Sequence, residues 1–296
     1  MEKFSKYKLK NKFSYTILLI LICAALFKFA YPYIDGTGEL ERGILTFHAI
    51  DAGQGDSFLF TFPEGSTMLV DAGTEESGAK IVRYLKKTGV KKIDVLAASH
   101  PHSDHIGGMQ EVMDNFPIGK VWDSGYNHGS KLQINFYKRI KAENIPFGRP
   151  KRGFTENIDG AEVEFIAPLS GQKGIGSDAN NNSLVFLVTY GNVSFLMTGD
   201  MEKDERRSIK NFPKCTVLKA PHHGSSNGTD RLFLAQTRPE AVVISYERGN
   251  SYGHPHKEVV RAIKKAGIRR FDTADGSLCL RTDGRNLTFP KERQID

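Results

Sequence analysis

Residues 100–105 read His-Pro-His-Ser-Asp-His, which puts four metal-capable side chains in six positions. They follow an apolar run, Ile93 to Ala98, and lead into Ile106-Gly107-Gly108. That order predicts a strand ending in a ligand-bearing loop. His100 and His102, two apart, can turn both imidazoles to one ion where the chain leaves a strand. Asp104 and His105 can face a second ion beside it. Imidazole nitrogen and carboxylate oxygen are zinc ligands. Two cations about 3.5–4 Å apart can share a hydroxide and stabilise both ends of a displacement. The chemistry these residues imply is hydrolysis by metal-activated water.

Such a pair of ions needs ligands from elsewhere in the chain. The candidates are Asp200, His222, His223, His254 and His256. Asp200 closes the run Phe195-Leu196-Met197-Thr198-Gly199, where a carboxylate has no packing role, and it suits a bridge between two cations. Its alternative is the N-cap of the following helix. His222-His223-Gly224-Ser225 ends another apolar run. Adjacent residues at a strand end point in different directions, so one imidazole is expected in the site and the other in support behind a ligand. His254-Pro255-His256 precedes a helix, with Pro255 suited to its first turn. Seven of the nine histidines fall in these three clusters, which favours a metal role over an ordinary structural one. His48 and His128 are isolated, but His128 lies in the polar loop 123–130, which could line an entrance. Ser225, Ser226, Asn227 and Lys219 could position phosphate or be ordinary loop and strand-end residues.

Elements that position these groups can be read from the pattern. A strand over 44–50 leads to the glycine-rich turn Asp51–Asp56, then a hairpin with arms 57–62 and 67–70, the second ending at Asp71. Helices are predicted over 78–88, 106–115, 131–143, 202–210 and 256–266. Strands are predicted over 93–98, 161–166, 183–190, 193–198, 216–219, 241–245, 269–271, 277–281 and 286–289. Gly191-Asn192 suits a two-residue hairpin turn. The rest of 145–178 reads as irregular. Both halves show strand pairs closing in a carboxylate, then a helix, then a ligand-bearing strand end. An α/β fold of two mixed sheets face to face, with helices outside, satisfies that order.

The 296-residue chain is ordinary in composition, 39% hydrophobic and 25% charged, with a net charge of +7. A basic balance fits an anionic partner or simple solubility. Part of the excess lies in residues 1–12, a basic segment with Lys3, Lys6, Lys8, Lys10 and Lys12. Residues 13–34 are almost wholly apolar, long enough to span a bilayer. The basic flank keeps the N-terminus cytoplasmic and sends the remainder outward. The expected organisation is a transmembrane anchor at 13–34, with a cleaved signal segment as the alternative, a linker at 35–43, a hydrolase domain at 44–289 and a tail at 290–296. Three cysteines build no disulfide framework. Cys215 and Cys279 read as buried thiols, with a single bridge as the alternative. Zinc-ribbon, low-complexity and glycine-rich nucleotide-loop patterns are missing.

His100-Pro101-His102-Ser103-Asp104-His105 matches in full the signature of the metallo-beta-lactamase superfamily, and residues 44–289 resemble that superfamily. Six stretches are similar, more narrowly, to the extracellular hydrolase domain of the ComEC/Rec2 DNA-uptake (competence) proteins. They are Asp51–Ser57, Ser99–Gly108, Asn182–Val185, Thr198–Asp200, Pro221–Ser225 and Tyr252–Pro255. The resemblance implies a four-layer αββα sandwich with metals at the sheet edge. It implies His100 and His102 on one ion, Asp104 and His105 on the other, Asp200 as bridge and, by order along the chain, His254 as the late ligand. His223 then resembles a substrate-proximal catalytic histidine, and Asp71 a buried carboxylate that orients a metal histidine. His222, Ser225 and His256 stay as supporting groups or additional ligands.

Two departures qualify the resemblance. Many superfamily members place a histidine between the first motif and the bridging aspartate, and none occurs here from 129 to 221. Asn181 or Asn182 occupies that region. An amide is a weaker ligand, so the first ion is expected to bind loosely or to be manganese. The uptake proteins also carry a multi-helix channel, whereas this chain has one hydrophobic segment, so uptake itself is not transferred.

The expected function is a metal-dependent phosphodiesterase or DNase acting outside the membrane. Two divalent cations, Zn2+ or Mn2+, would present a metal-bound hydroxide to phosphorus. Asp104 would hold the nucleophile and its ion, and His223 would donate a hydrogen bond to a non-bridging oxygen or protonate the leaving oxygen. Nucleic acid would be held through its backbone without base readout by Arg149, Lys151 and Arg152, and by Lys264, Lys265, Arg269 and Arg270. The alternatives are a hydrolase of small or cell-envelope phosphoesters resembling phosphorylcholine esterases, a lactonase or beta-lactamase, and a non-enzymatic binding protein.

Overall fold

Continuous runs of aromatic and β-branched residues make strands that are buried on both faces, and the chain lays them into two sheets. The computed structural model describes residues 42–169 and 179–290. The expected anchor at 13–34, the linker up to residue 41 and the tail from 291 lie outside the described residues. No helix among the described residues is long and apolar enough to cross a membrane. Of the described residues, 42–86, 90–169 and 179–290 belong to one compact unit.

The first half runs β1 (Leu45–Ala49), β2 (Phe58–Thr61), β3 (Thr67–Val70), α1 (Gly78–Lys87), β4 (Ile93–Ala98), α2 (Ser103–Ile106), α3 (Met109–Asn115), β5 (Ile118–Asp123), α4 (Lys131–Ala142) and β6 (Phe147–Gly148). The second half runs β7 (Thr155–Ile158), β8 (Ala161–Ala167), β9 (Val185–Tyr190), β10 (Val193–Met197), α5 (Lys203–Ser208), β11 (Val217–Lys219), α6 (Arg231–Thr237), β12 (Ala241–Ile244), α7 (Lys257–Lys265) and β13 (Arg269–Asp272). The last strands, β14 (Leu278–Thr282) and β15 (Leu287–Thr288), return to the first sheet. The sheet orders are β15-β14-β1-β2-β3-β4-β5-β6 and β13-β12-β11-β10-β9-β8-β7.

Three apolar clusters separate the layers. Phe47, Phe58 and Phe60 of the first sheet meet Phe165, Phe186 and Phe195 of the second between the sheets. Phe47 lies 5.0 Å from Phe60 and 5.1 Å from Phe195, ring centre to ring centre. Each fully buried Phe contributes roughly 1.5–3 kcal/mol of apolar burial. The outer face of the first sheet packs on Ile81, Leu85, Val112 and Phe136 of α1, α3 and α4. That of the second packs on Phe233, Val259 and Ile263 of α6 and α7. The result is helix, sheet, sheet, helix.

Helical crossovers make β3, β4 and β5 parallel, and likewise β10 through β13. Parallel strands put their C-terminal ends on one edge, where ligand-bearing loops collect. This is why Asp71, Ser99, His100, Asp200, Lys219 and Ser245 leave their sheets at neighbouring points.

The structure corrects several expected elements. The helix predicted over 106–115 is two helices, and α2 begins at Ser103 within the motif itself. β5, β6, β7 and α6 were not predicted. β5 carries Gly119 and Lys120 among its apolar residues, and β6 is two residues long. Cys215 and Cys279 are both free thiols.

Candidate metal centre

Where β3 ends, Asp71 adopts a left-handed backbone (φ 59°). That conformation is costly for a residue with a Cβ and persists only where the surroundings impose it. Asp71 Oδ1 accepts from the Ser99 amide at 2.8 Å, and its Oδ2 accepts from the Ser99 hydroxyl at 2.6 Å. Oδ2 also lies 2.8 Å from His105 Nδ1. With Nδ1 engaged, His105 Nε2 faces inward, 3.3 Å from Asp200 Oδ2 and 3.9 Å from Asp104 Oδ2.

The tight turn Pro221–Gly224 after β11 delivers His223. His222 and His223 are both left-handed (φ 47° and 53°), which throws the two rings to different sides. His223 Nδ1 donates to the Ser245 carbonyl at 2.9 Å, and Nε2 lies 3.3 Å from Asp104 Oδ2 and 3.4 Å from Asp200 Oδ2. Ligand atoms of Asp104, His105, Asp200 and His223 all fall within 4.8 Å of one another. The glycine-rich turn pins the Asp104 segment from the far side. The Asp56 amide donates to Asp104 O at 3.1 Å, and a Cβ at Gly55 would come within 2.3 Å of that oxygen.

These residues fit a divalent cation. The Nε2 atoms of His105 and His223 are buried and make no well-formed hydrogen bond, because each ring is held from behind by its Nδ1. Two carboxylates, Asp56 and Asp200, hold the ammonium of Lys219, while Asp71 and Asp104 lie against the two imidazoles. Two oriented imidazole nitrogens and two carboxylates in one small volume are zinc-type donors backed by outer partners.

The electrostatics follow from the same crowding. Burial opposes charging of His105 and His223, yet the surrounding carboxylates, Asp200 first, outweigh it and hold both pKa values well above the ordinary range. Burial also works against Asp200 and Asp104. The cationic neighbours win, His223 first for Asp200 and His105 first for Asp104, and both carboxylates stay ionised far below their usual range. A bound cation would replace the protons that the two imidazoles otherwise attract.

His100 and His102 sit beside this cluster. His100 is fully buried, its Nε2 is 3.0 Å from His102 Nδ1, and its ring centre is 4.0 Å from that of His105. Burial, with the charge of His105, pushes the His100 pKa well below the ordinary value, leaving it a neutral donor. Among the described residues no third His, Cys, Asp or Glu joins this pair within ligand distance.

His223, assigned by chain order to the substrate side, stands among the ligand atoms, whereas His254 lies on the wall of the adjoining cavity, 6.1 Å from His223 ring to ring. The left-handed turn at 222–223 puts the His223 ring there, a placement that chain order could not show. Asn182 lies in a buried turn and Asn181 accepts from the Glu205 amide, so Asn180 is the asparagine that reaches the cavity. His222 Nε2 is 3.7 Å from Asp200 Oδ2 and its Nδ1 is 3.2 Å from Glu202 Oε1. Ser225 Oγ accepts from the Asn227 amide within its own turn, and His256 accepts from the Ser226 amide. Neither belongs to the ligand group.

Two further residues carry the site. Lys219 is fully buried, with Nζ 2.5 Å from Asp56 Oδ2, 2.7 Å from the Gly199 carbonyl and 3.4 Å from Asp200 Oδ1. It braces the carboxylates from beneath and does not face the cavity. Asp56 also lies 3.4 Å from His223 Nδ1. The sequence signal for both was present, a carboxylate ahead of the run 57–62 and a lysine within an apolar strand. Above the centre is a cavity of about 400 Å³ whose walls include His102, Asp104, His128, Asn180, Asp200, His222, His223, Tyr252 and His254.

With fold and site described, the class is defined: the chain belongs to the metallo-beta-lactamase superfamily, whose model matches residues 50–247. It is 28% identical over 292 residues to ComE operon protein 3 of Bacillus subtilis, covering 91% of this chain and 36% of the relative. It is 33% identical over 230 residues to competence protein ComA of Neisseria gonorrhoeae, covering 75% of this chain and 30% of the relative. The chain therefore spans about a third of the length of these relatives. Among solved structures, the metallo-beta-lactamase fold protein YhfI from B. subtilis superposes with a TM-score of 0.52 at 13% identity, over 80% of this chain and 100% of that one. CmlA, a diiron beta-hydroxylase from Streptomyces venezuelae, gives 0.54 at 16% identity, over 82% and 54%. At such identities the likeness concerns the fold alone, and one fold hosts several chemistries.

Proposed function

We propose that this superfamily hydrolase is a divalent-metal phosphodiesterase acting on nucleic acid. The observation that carries the reading is the cluster of Asp104, His105, Asp200 and His223 at the floor of the cavity, with both imidazoles oriented from behind. A divalent cation bound there, Zn2+ or Mn2+, supplies water activation and neutralises phosphate charge. His100 and His102 supply donors for a second ion. Asp71 and Ser245 hold the imidazoles of His105 and His223 in register, and Lys219 with Asp56 fixes the Asp200 carboxylate. His222, steadied by Glu202, faces the cavity and is placed to hydrogen-bond a leaving oxygen. Glu202 is itself fixed by amides of Asn180 and Asn227 at 2.9 and 2.8 Å.

Nucleic acid is favoured over small phosphoesters by two features. Arg149 packs against Gly125 in the loop whose His128 and Ser130 line the cavity, and Lys151 donates to the Ser124 carbonyl at 3.0 Å. The first basic group thus adjoins the loop that lines the cavity, which supports contact with a phosphate backbone. The likeness to a relative named for competence supports the same substrate. Residues 13–34 would anchor the enzyme, with the hydrolase unit outside the cytoplasm. The test is hydrolysis of plasmid and single-stranded DNA by the full chain. Cleavage lost on chelation and restored by Mn2+ or Zn2+ is expected. Cleavage of phosphorylcholine esters with no action on DNA would reject the substrate.

A further inference from the structure

Tyr252 leaves 66% of its surface exposed at the rim of the cavity. Exposure alone is ordinary for a single ring. This ring, however, has a ring partner. It lies nearly parallel to His254, with ring centres 5.8 Å apart and planes 19° from each other. The main chain of His254 in turn is clamped by Asn250, whose Oδ1 accepts from the His254 amide at 3.0 Å and whose Nδ2 donates to the His254 carbonyl at 2.7 Å. The same Nδ2 donates to the Glu247 carbonyl at 2.8 Å. A ring already paired with a neighbour on a braced turn loses less freedom when something stacks on it than a lone exposed ring does.

The geometry points to Tyr252, backed by His254, as a stacking platform for an unpaired nucleobase beside the scissile phosphate, so that the substrate is single-stranded nucleic acid. This rests on the phosphodiesterase reading above. Two ring-to-ring steps, 6.1 Å from His223 to His254 and 5.8 Å from His254 to Tyr252, connect the ligand cluster to the platform. A nucleotide with its base on Tyr252 lies at the rim of the same cavity whose walls include Asp104, Asp200 and His223. Every base has a π face, so such a platform tolerates sequence, in keeping with backbone contacts by Arg149 and Lys151. Bases within a duplex are covered by their neighbours and would first have to be flipped out. The rival ligand for an exposed ring is a quaternary ammonium, which aromatic cages bind. Tyr252 is the lone Phe, Tyr or Trp among the described residues lining the cavity, which is a platform rather than a cage.

The test uses the full chain loaded with Mn2+ and fluorescence anisotropy. The probes are a phosphorothioate oligothymidine, which resists cleavage, and an abasic oligomer of equal length and charge. The native protein should bind the oligothymidine more tightly than the abasic strand. Tyr252→Ala should weaken oligothymidine binding about 10-fold and leave abasic binding unchanged, while Tyr252→Phe keeps the preference. Equal losses on both probes, no loss on either, or a Tyr252→Phe as defective as Tyr252→Ala would overturn the proposal. Cleavage of the unmodified oligothymidine is scored separately. Failure there with base discrimination intact rejects the catalytic reading, and cleavage without Tyr252-dependent discrimination rejects the platform.

Discussion

The ammonium of Lys219 lies 2.5 Å from Asp56 Oδ2, with both side chains buried beneath the ligand cluster. A lysine taken from water into this position is tolerated because two carboxylates and a backbone carbonyl surround it. Burial opposes its charge, but Asp56 and then Asp200 raise its pKa above the ordinary lysine value.

Removing one member of such a pair leaves an uncompensated buried charge. Lys219→Met should lower unfolding free energy by roughly 3–5 kcal/mol, read by urea denaturation of the metal-stripped protein. The double variant with Asp56→Asn should recover part of that loss, giving a coupling of about 1 kcal/mol or more. Strictly additive losses would show that the two groups do not stabilise each other.

Asp71 orients His105 through Nδ1, so its replacement acts on the metal at a distance. Asp71→Asn should weaken metal affinity by about 10–100-fold with the secondary structure intact. Competition with a chromophoric chelator reads the affinity and circular dichroism the fold. An unchanged affinity would remove Asp71 from the support of the centre.

His223 stands among the clustered donor atoms and His254 on the cavity wall, and their variants tell the two positions apart. His223→Ala should lose bound metal after dialysis, whereas His254→Ala should retain it and raise KM. Burial, with the charges of His222 and His223, pushes His254 down to about 4, so it is neutral at pH 7. Elemental analysis of the two variants decides. Loss of metal from His254→Ala alone would return the late ligand to the position that chain order suggested.

Glu205 offers a pH test away from the ligands. Its side chain is fully buried in α5, and burial pushes its pKa well above the usual glutamate range despite the Ser183 amide and the charge of Lys151. A folded pKa above the unfolded one means full stability below the unfolded value, lost progressively as pH rises through the folded value. Glu205→Gln should therefore stabilise the protein relative to the native chain at pH 8 and gain little at pH 4. A Tm difference independent of pH would contradict the assignment.

Much of this architecture was legible because strands and their ends announce themselves locally. The apolar run 93–98 emerged as β4 with the bounds read from the sequence, and the hairpin arms emerged as β2 and β3. β5 was missed because Gly119 and Lys120 interrupt its apolar pattern, and it becomes a strand by pairing with β4. α6 was missed because its seven residues carry a short apolar face that is meaningful only against Phe212 and α7.

For the centre, residue types and spacing alone determined that imidazole and carboxylate groups would collect at strand ends, since clustered histidines beside an apolar run have few other uses. Only the tertiary structure decided which histidine meets Asp104 and Asp200. That choice depends on two left-handed residues at 222–223 and on the Ser245 carbonyl, 22 positions away in the chain. Nor could spacing reveal Lys219 against Asp56, 163 residues apart, because a buried charge is stabilised by partners that folding alone brings within reach.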